Sequence, residues 1–213
     1  VSILDVVRGR YLGAINDEQE EYLRRLDRRA RTMLSMINEL LILSRNRDRR
    51  QETRAGSTSA AELARRIQRT FQDRAAEKRL AFHVELPAED LPPIRGPLET
   101  LEQVLENLVS NAVKYTPEEG SVAVRFSKAD GTVRIEVSDT GIGIPREDRP
   151  RLFSEFFRAE NAKAMEVVGT GLGLSIVKEN IDRLGGRIVV ESEEGAGSLF
   201  VVHLPAAAAR EEA

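Results

Sequence analysis

Two carboxamides and an amine recur on one side of a periodic segment. Asn107 and Asn111 are four residues apart and Lys114 is three further on, so a helix over 98–115 puts all three on one face. Two amide oxygens one turn apart can ligate a hard cation such as Mg²⁺, which takes few protein oxygens and fills its shell with phosphates and water. A nearby ammonium can neutralise phosphate charge as a point charge. The opposite face carries Leu101, Val104, Leu105, Leu108 and Ala112 and must be the buried one. Taken alone, two asparagines and a lysine on a helix are more often a solvated face.

Two glycine-bearing stretches follow. In Asp139-Thr140-Gly141-Ile142-Gly143-Ile144-Pro145 a carboxylate stands at the end of a strand-like run. An ionised carboxylate only accepts hydrogen bonds, and can take one from an adenine amino group. Gly141 and Gly143 let a flat ring approach the backbone. In Gly169-Thr170-Gly171-Leu172-Gly173-Leu174 the glycines run into an apolar segment, with 177, 181 and 184 on one face of a helix. A Gly-rich loop opening a helix cradles phosphate, because the first-turn N–H groups have no intrahelical partner. The stretch is neither the dinucleotide fingerprint nor the Walker loop. A flexible turn with a helix cap explains it about as well by itself. Between the two, Phe153, Phe156, Phe157 and Arg158 lead into a polar stretch at 159–168, read as a lid hinged on an aromatic anchor.

The elements that must position these residues are legible in order. Ser59 caps a helix with Glu62 at the capping-box position and Leu63, Ile67, Thr70 and Phe71 on its buried side. Leu80 to Leu86 alternates as a strand, and Pro92-Pro93 interrupts. Val122–Phe126 and Val133–Val137 read as a hairpin about Ala129-Asp130-Gly131. The last helix ends at Gly185-Gly186, and strands at 188–192 and 198–204 close the sheet.

Ahead of this domain lies a helical segment. Residues 1–15 read as the tail of one helix, and Asn16 or Asp17 caps the next. Leu23, Leu26, Ala30, Met33, Ile37, Leu40 and Ser44 alternate spacings of three and four, a heptad seam widened by Leu34 and Leu41. The opposite face is rich in arginine. Such a hairpin buries its seam best against a second copy, as a four-helix bundle. The expected organisation is a dimerising hairpin at 1–50, a linker at 51–58, a domain of helices and strands at 59–205, and a tail at 206–213. The fold class is thus α+β.

The chain has 213 residues, 41% hydrophobic and 31% charged, with net charge -3, which excludes a generic nucleic-acid binder. Without cysteine there is no disulfide framework and no thiol or Cys-zinc chemistry, which fits a cytoplasmic setting. No apolar run has the length of a membrane span, so any membrane anchoring is expected from other parts of a parent protein. The first residue is Val, and the expectation is a fragment of something longer.

In this order the four elements resemble the ATP-binding catalytic domain of bacterial sensor histidine kinases over about residues 59–205. The asparagine box runs from Glu106 to Pro117, the first glycine box from Asp139 to Pro145, the phenylalanine box from Phe153 to Arg158, and the second glycine box from Gly169 to Leu174. The resemblance implies an α/β sandwich with a mixed sheet, and ATP and Mg²⁺ as ligands. It assigns Mg²⁺ to Asn107 and Asn111, phosphate to Lys114, the adenine or ribose side to Tyr115, and the adenine amino group to Asp139. Gly141 and Gly143 would shape the base pocket, and Gly169, Gly171 and Gly173 would wrap the phosphates, with backbone N–H groups from Thr170 and Leu172. Ile144, Phe157, Arg158 and Leu174 complete the implied set. The helices before residue 50 resemble the family's dimerisation and phosphotransfer hairpin, implying a homodimer through residues 1–44 and a response regulator as partner.

Two departures stand out. The family's acceptor histidine belongs to a box that would precede Val1. The only histidines are His83 and His203, both in predicted strands and neither expected to be a phosphoacceptor, so no catalytic residue is assigned. Gly96-Pro97 also stands where an aspartate is common after the glycine, with an effect expected on helix entry alone. Competing readings are an ATP hydrolase of the same superfamily, a serine kinase of the anti-sigma-factor type, and a nucleotide-binding dimerisation module without kinase activity. The hydrolases place a glutamate base where Asn107 stands, and an amide cannot serve as that base. The serine kinases lack a heptad hairpin.

Overall fold

A computed structural model describes residues 13, 15–48, 56–85, 91–165 and 169–207. It opens on helix α1 (Asp17–Asp48). Asn16 begins it with a reciprocal cap: its Oδ1 accepts the Gln19 N–H at 2.8 Å, and its own N–H donates to Gln19 Oε1 at 2.9 Å. The hairpin's other arm, expected in residues 1–15, lies largely outside the described residues.

The remainder is a layer of helices on a five-stranded sheet. Strands β2 (Ala81–Glu85), β4 (Ser121–Ala129), β5 (Thr132–Asp139), β6 (Arg187–Glu193) and β7 (Gly197–Pro205) lie in the order β2-β4-β5-β7-β6. Only β2 and β4 are parallel, and the other pairs are antiparallel, so the sheet is mixed as expected. The β4–β5 turn holds Asp130 and Gly131 both at positive φ, 35° and 74°, which suits the right-handed twist of a tight hairpin.

Three long helices cover one face: α2 (Ala60–Glu77), α3 (Leu98–Tyr115) and α5 (Gly173–Arg183), with the short α4 (Glu160–Ala164) between α3 and α5 in sequence. Alternate strand residues point into the layer. Val122, Val124 and Phe126, then Val133, Ile135 and Val137, then Phe200, Val202 and Leu204 are buried against Leu63, Ile67 and Phe71 of α2, Leu101, Leu105 and Leu108 of α3, and Ile181 of α5. The period of two meets the period of 3.6 across one apolar layer.

Two segments near the expected boundaries take part in the fold. Ser57–Thr58, read as the end of a linker, form strand β1, paired with β3 (Ile94–Arg95). Thr58 is buried and its hydroxyl donates to the Gly96 carbonyl at 2.8 Å, which ties the segment to the sandwich. Ala206 and Ala207, read as tail, donate backbone N–H groups to Gly131 and Pro93. Residues 51–55, Leu86, 166–168 and 208–213 lie outside the described residues. At the Gly96-Pro97 departure, α3 begins at Pro97 without a side-chain cap, and Gly96 takes φ 132°.

The central strand sets the stability. Ile135 is fully buried. Ile135→Ala is expected to cost about 2–5 kcal/mol, while Ser127→Ala on the open face should stay within about 0.5 kcal/mol, as read from urea denaturation midpoints.

Candidate functional site

Helix α3 presents its polar side to a cavity of about 350 Å³. Asn107, Asn111, Lys114 and Tyr115 line it from the helix. The Asn107 carboxamide is oriented: its Nδ2 donates to the Gln103 carbonyl one turn back at 2.9 Å. Its Oδ1 then faces Gly173, where an added Cβ would stand 2.7 Å from that oxygen. The second glycine box therefore needs glycine at this position to approach the amide. Among the described residues no cluster of three His, Cys, Asp or Glu exists. Amide oxygens beside a glycine-rich loop are a donor set that fits Mg²⁺, which keeps several non-protein oxygens.

Lys114, Tyr115 and Arg158 converge on Gly169. A Cβ there would lie 2.6 Å from Lys114 Nζ, 3.8 Å from the Tyr115 hydroxyl and 3.9 Å from Arg158 Nε. The Lys114 ammonium also sits 4.7 Å from the Tyr115 ring centroid. Gly171, at φ 77°, packs on the backbone of the phenylalanine box, where a Cβ would stand 2.7 Å from the Phe156 carbonyl carbon. Phe157 lines the cavity and is covered by the Arg151 guanidinium at 4.8 Å, while Leu152 is buried in the core. Thus the aromatic segment is anchored in the core, and the second glycine box rests on it.

Asp139 also lines the cavity. Its carboxylate accepts the Gly141 N–H at 2.8 Å, and the Ser198 N–H as well. Burial pushes its pKa up, and these two amides oppose the shift. Gly143, at φ 63°, has no room for a side chain, since a Cβ would lie 1.8 Å from the Glu193 carbonyl oxygen. Gly143, Ile144, Gly169, Thr170, Gly171, Gly173, Leu174 and Arg158 all border the cavity. Gly141 and Leu172 do not. Gly141 is buried beneath Asp139, and Leu172 is fully buried against Ile176.

The structure adds residues that no motif pointed to. Ser198 and Phe200 line the cavity because β7 pairs with β5 so that Ser198 meets Asp139 and Phe200 meets Val137. Asn161 lies in the stretch read only as polar lid. Its Nδ2 donates to the Gly143 carbonyl at 3.0 Å, joining the lid helix to the first glycine box. Asp148 adds a second tie by accepting the Glu160 N–H at 3.1 Å. A polar residue after an aromatic box was the one signal for Asn161, and it is a weak one.

Both histidines stand away from this cavity. His83 is exposed on β2. His203 lies on the open face of the sheet between Arg134 and Arg187. Partial burial and these two guanidiniums hold its pKa below the usual imidazole range.

Known proteins resemble this chain in sequence and fold. The profile described as histidine kinase-, DNA gyrase B-, and HSP90-like ATPase matches residues 96–208. The histidine protein kinase DivJ of Caulobacter vibrioides is 34% identical over 201 residues, which are 94% of this chain and 33% of the relative. The circadian input-output histidine kinase CikA of Synechococcus elongatus is 32% identical over 194 residues, 91% of this chain and 26% of the relative. The crystal structure of full-length ShkA in complex with AMPPNP superposes with a TM-score of 0.74 at 30% identity, covering 97% of this chain and 43% of that one. The chain spans about a quarter to a third of the length of these curated relatives. With the family profile over more than half its length, this chain belongs to the histidine kinase-, DNA gyrase B- and HSP90-like ATPase family, and its catalytic domain is of the sensor histidine kinase kind.

Proposed function

We propose that this chain is the ATP-binding catalytic region of a two-component sensor histidine kinase, passing the γ-phosphoryl group of Mg·ATP to a histidine outside its own 213 residues and thence to a response regulator. The observation that carries this reading is the polarity of the cavity. Asp139 lines it beside the first glycine box, and Asn107 and Lys114 line it where the second glycine box approaches them. Adenine fits the first of these, since its amino group donates to the carboxylate. The phosphates fit the second, where Lys114 supplies positive charge and the loop at 169–173 supplies backbone N–H groups. Asn107 and Asn111 would hold Mg²⁺, which spreads the charge that develops on the transferring phosphoryl oxygens.

An amide at Asn107 favours transfer over hydrolysis. It can hold a metal but cannot take a proton from water. The acceptor imidazole nitrogen needs no such base, because its lone pair attacks phosphorus directly while ADP leaves. What this chain contributes is placement, charge neutralisation and exclusion of water by the lid. The relative crystallised with AMPPNP supports a nucleoside triphosphate as the ligand.

The N-terminal helix supports a homodimer. Tyr22, Leu26, Met33, Leu34, Ile37 and Leu41 of α1 are between 49% and 63% exposed, a continuous apolar row of the kind that pairs with a second copy. The seam positions 40 and 44 lie outside the described side chains. Among the described residues no helix is long and apolar enough to cross a membrane. A cytoplasmic location, with any anchor in the parent protein, remains part of the proposal.

Three outcomes test this reading. Labelled ATP should leave no acid-labile phosphate on the chain alone and should label an added hairpin that carries the family's histidine box. Acid-labile label on His83 or His203, or steady ATP turnover without acceptor, would reject it. Asp139→Asn should weaken Mg·ATP binding by about 1–3 kcal/mol in calorimetry. The ionised carboxylate is the form that accepts the adenine proton, so affinity should fall as pH drops through the raised pKa, starting at a higher pH than for an ordinary carboxylate. That dependence should vanish in Asp139→Asn. Finally, Leu26→Asp with Met33→Asp places unpaired charge in the seam and should give monomers in sedimentation.

A further inference from the structure

Helix α3 ends in a way that its own backbone does not complete. The last four carbonyls of a helix have no intrahelical donor. Here Ala112 accepts the Thr116 N–H at 3.1 Å and the Thr116 hydroxyl at 2.7 Å. Val113 would next look to residue 117, which is proline and has no N–H. A side chain from another helix fills the gap. Lys78 Nζ donates to the Val113 and Lys114 carbonyls, each at 2.9 Å. The Tyr115 carbonyl accepts the Ile142 N–H at 3.2 Å. All four carbonyls are thereby satisfied, two of them by one ammonium at the negative end of the helix dipole.

Lys78 is itself held in place. It is the C-cap of α2, and Arg79 follows at φ 56°. The Leu80 N–H returns to the Ala75 carbonyl and the Arg79 N–H to Ala76, both at 2.9 Å, closing α2 in a Schellman turn. The same turn grips the segment after α3: the Arg79 carbonyl accepts the Glu119 N–H at 3.2 Å, and the Ala81 N–H donates to Gly120 at 2.9 Å. Burial draws the Lys78 pKa down, and the nearby Glu118 carboxylate opposes that shift.

The division of labour at the helix end is the informative part. Ile142 belongs to the first glycine box, so the base side of the last turn is pinned there. The carbonyl of Lys114, the residue whose ammonium reaches the second glycine box, is pinned instead by the Lys78 ammonium. We infer that Lys78, outside all four boxes and away from the cavity, is a positioning residue that aims Lys114 at the nucleotide phosphates. This rests on the ATP-binding reading above and adds a residue to it. Without the ammonium, two carbonyls at the helix end lose their donor, the last turn frays, and Lys114 loses its fixed origin.

The test is a double-mutant cycle on the full chain, with Mg·ATP affinity from calorimetry. Lys78→Met is expected to weaken binding about tenfold, of the order of losing hydrogen bonds to a charged group. In a Lys114→Met background the same change should cost less than about twofold, because its effect passes through Lys114. Lys78→Arg, which can still donate to both carbonyls, should recover most of the affinity. Thermal melting followed by circular dichroism establishes that each variant is folded at the assay temperature. Lys78→Gln, with one donor group of shorter reach, carries the cycle if Lys78→Met does not fold. Equal losses in both backgrounds, unchanged affinity in a folded Lys78→Met or Lys78→Gln, or no recovery in Lys78→Arg would overturn the assignment and leave the ATP reading standing. A wild-type chain that does not bind Mg·ATP would overturn both.

Discussion

Everything at the site depends on the rotation of one helix about its axis. Helix α3 buries Leu101, Val104, Leu105, Leu108 and Val109 against the sheet and the neighbouring helices. Each such side chain contributes about 1.5–3 kcal/mol by leaving water, so the helix has one favourable orientation and no near competitor. The polar face is fixed by default. Asn107, Asn111 and Lys114 point into the cavity because the other side of the helix is committed to the core. The functional residues need no separate device to face the same way. They need only a device at each end that stops the last turn from loosening.

The second constraint is the cost of a buried carboxylate. Asp139 ends β5 where the sheet is covered, and burial raises its pKa. The chain offsets part of that cost with the Gly141 and Ser198 amides. The backbone is crowded around it. Gly197 takes φ 96°, and a Cβ there would stand 2.0 Å from the Asp139 carbonyl oxygen. The glycines of the first box and of the β6–β7 turn are thus two halves of one close contact, which lets a strand end, a loop and a turn meet around a single charged side chain.

The lid follows from the same economy of anchors. Its root is tied by Asn161 to Gly143, by Asp148 to Glu160 and by Gly171 to the phenylalanine box. Phe156 is held at φ 60° with its ring largely in solvent, an unusual state for a bulky residue. Both glycine boxes thus meet the same stretch through a few close contacts.

The local sequence determined a great deal. The period of α3, the alternation of β4, β5 and β7, the Asp130-Gly131 turn and the order of the four boxes are all short-range signals, and each rests on backbone preference or hydrophobic spacing that neighbouring residues carry. The expected site residues were legible for the same reason, since most of them sit in those boxes. Other features were decided only by tertiary structure. Strand β1 exists because Ser57–Thr58 finds Ile94–Arg95, some forty residues away, and nothing in two polar residues announces a strand. Ser198 and Phe200 reach the cavity through the register of β7 on β5, which no local pattern encodes. Gly141 and Leu172 sit in motifs yet face away from the cavity, because packing rather than spacing sets which side of a loop is inside. Lys78 is the clearest case: a lysine at a helix end is an ordinary solvated residue in the sequence, and it becomes the cap of another helix only when α2 and α3 are brought side by side.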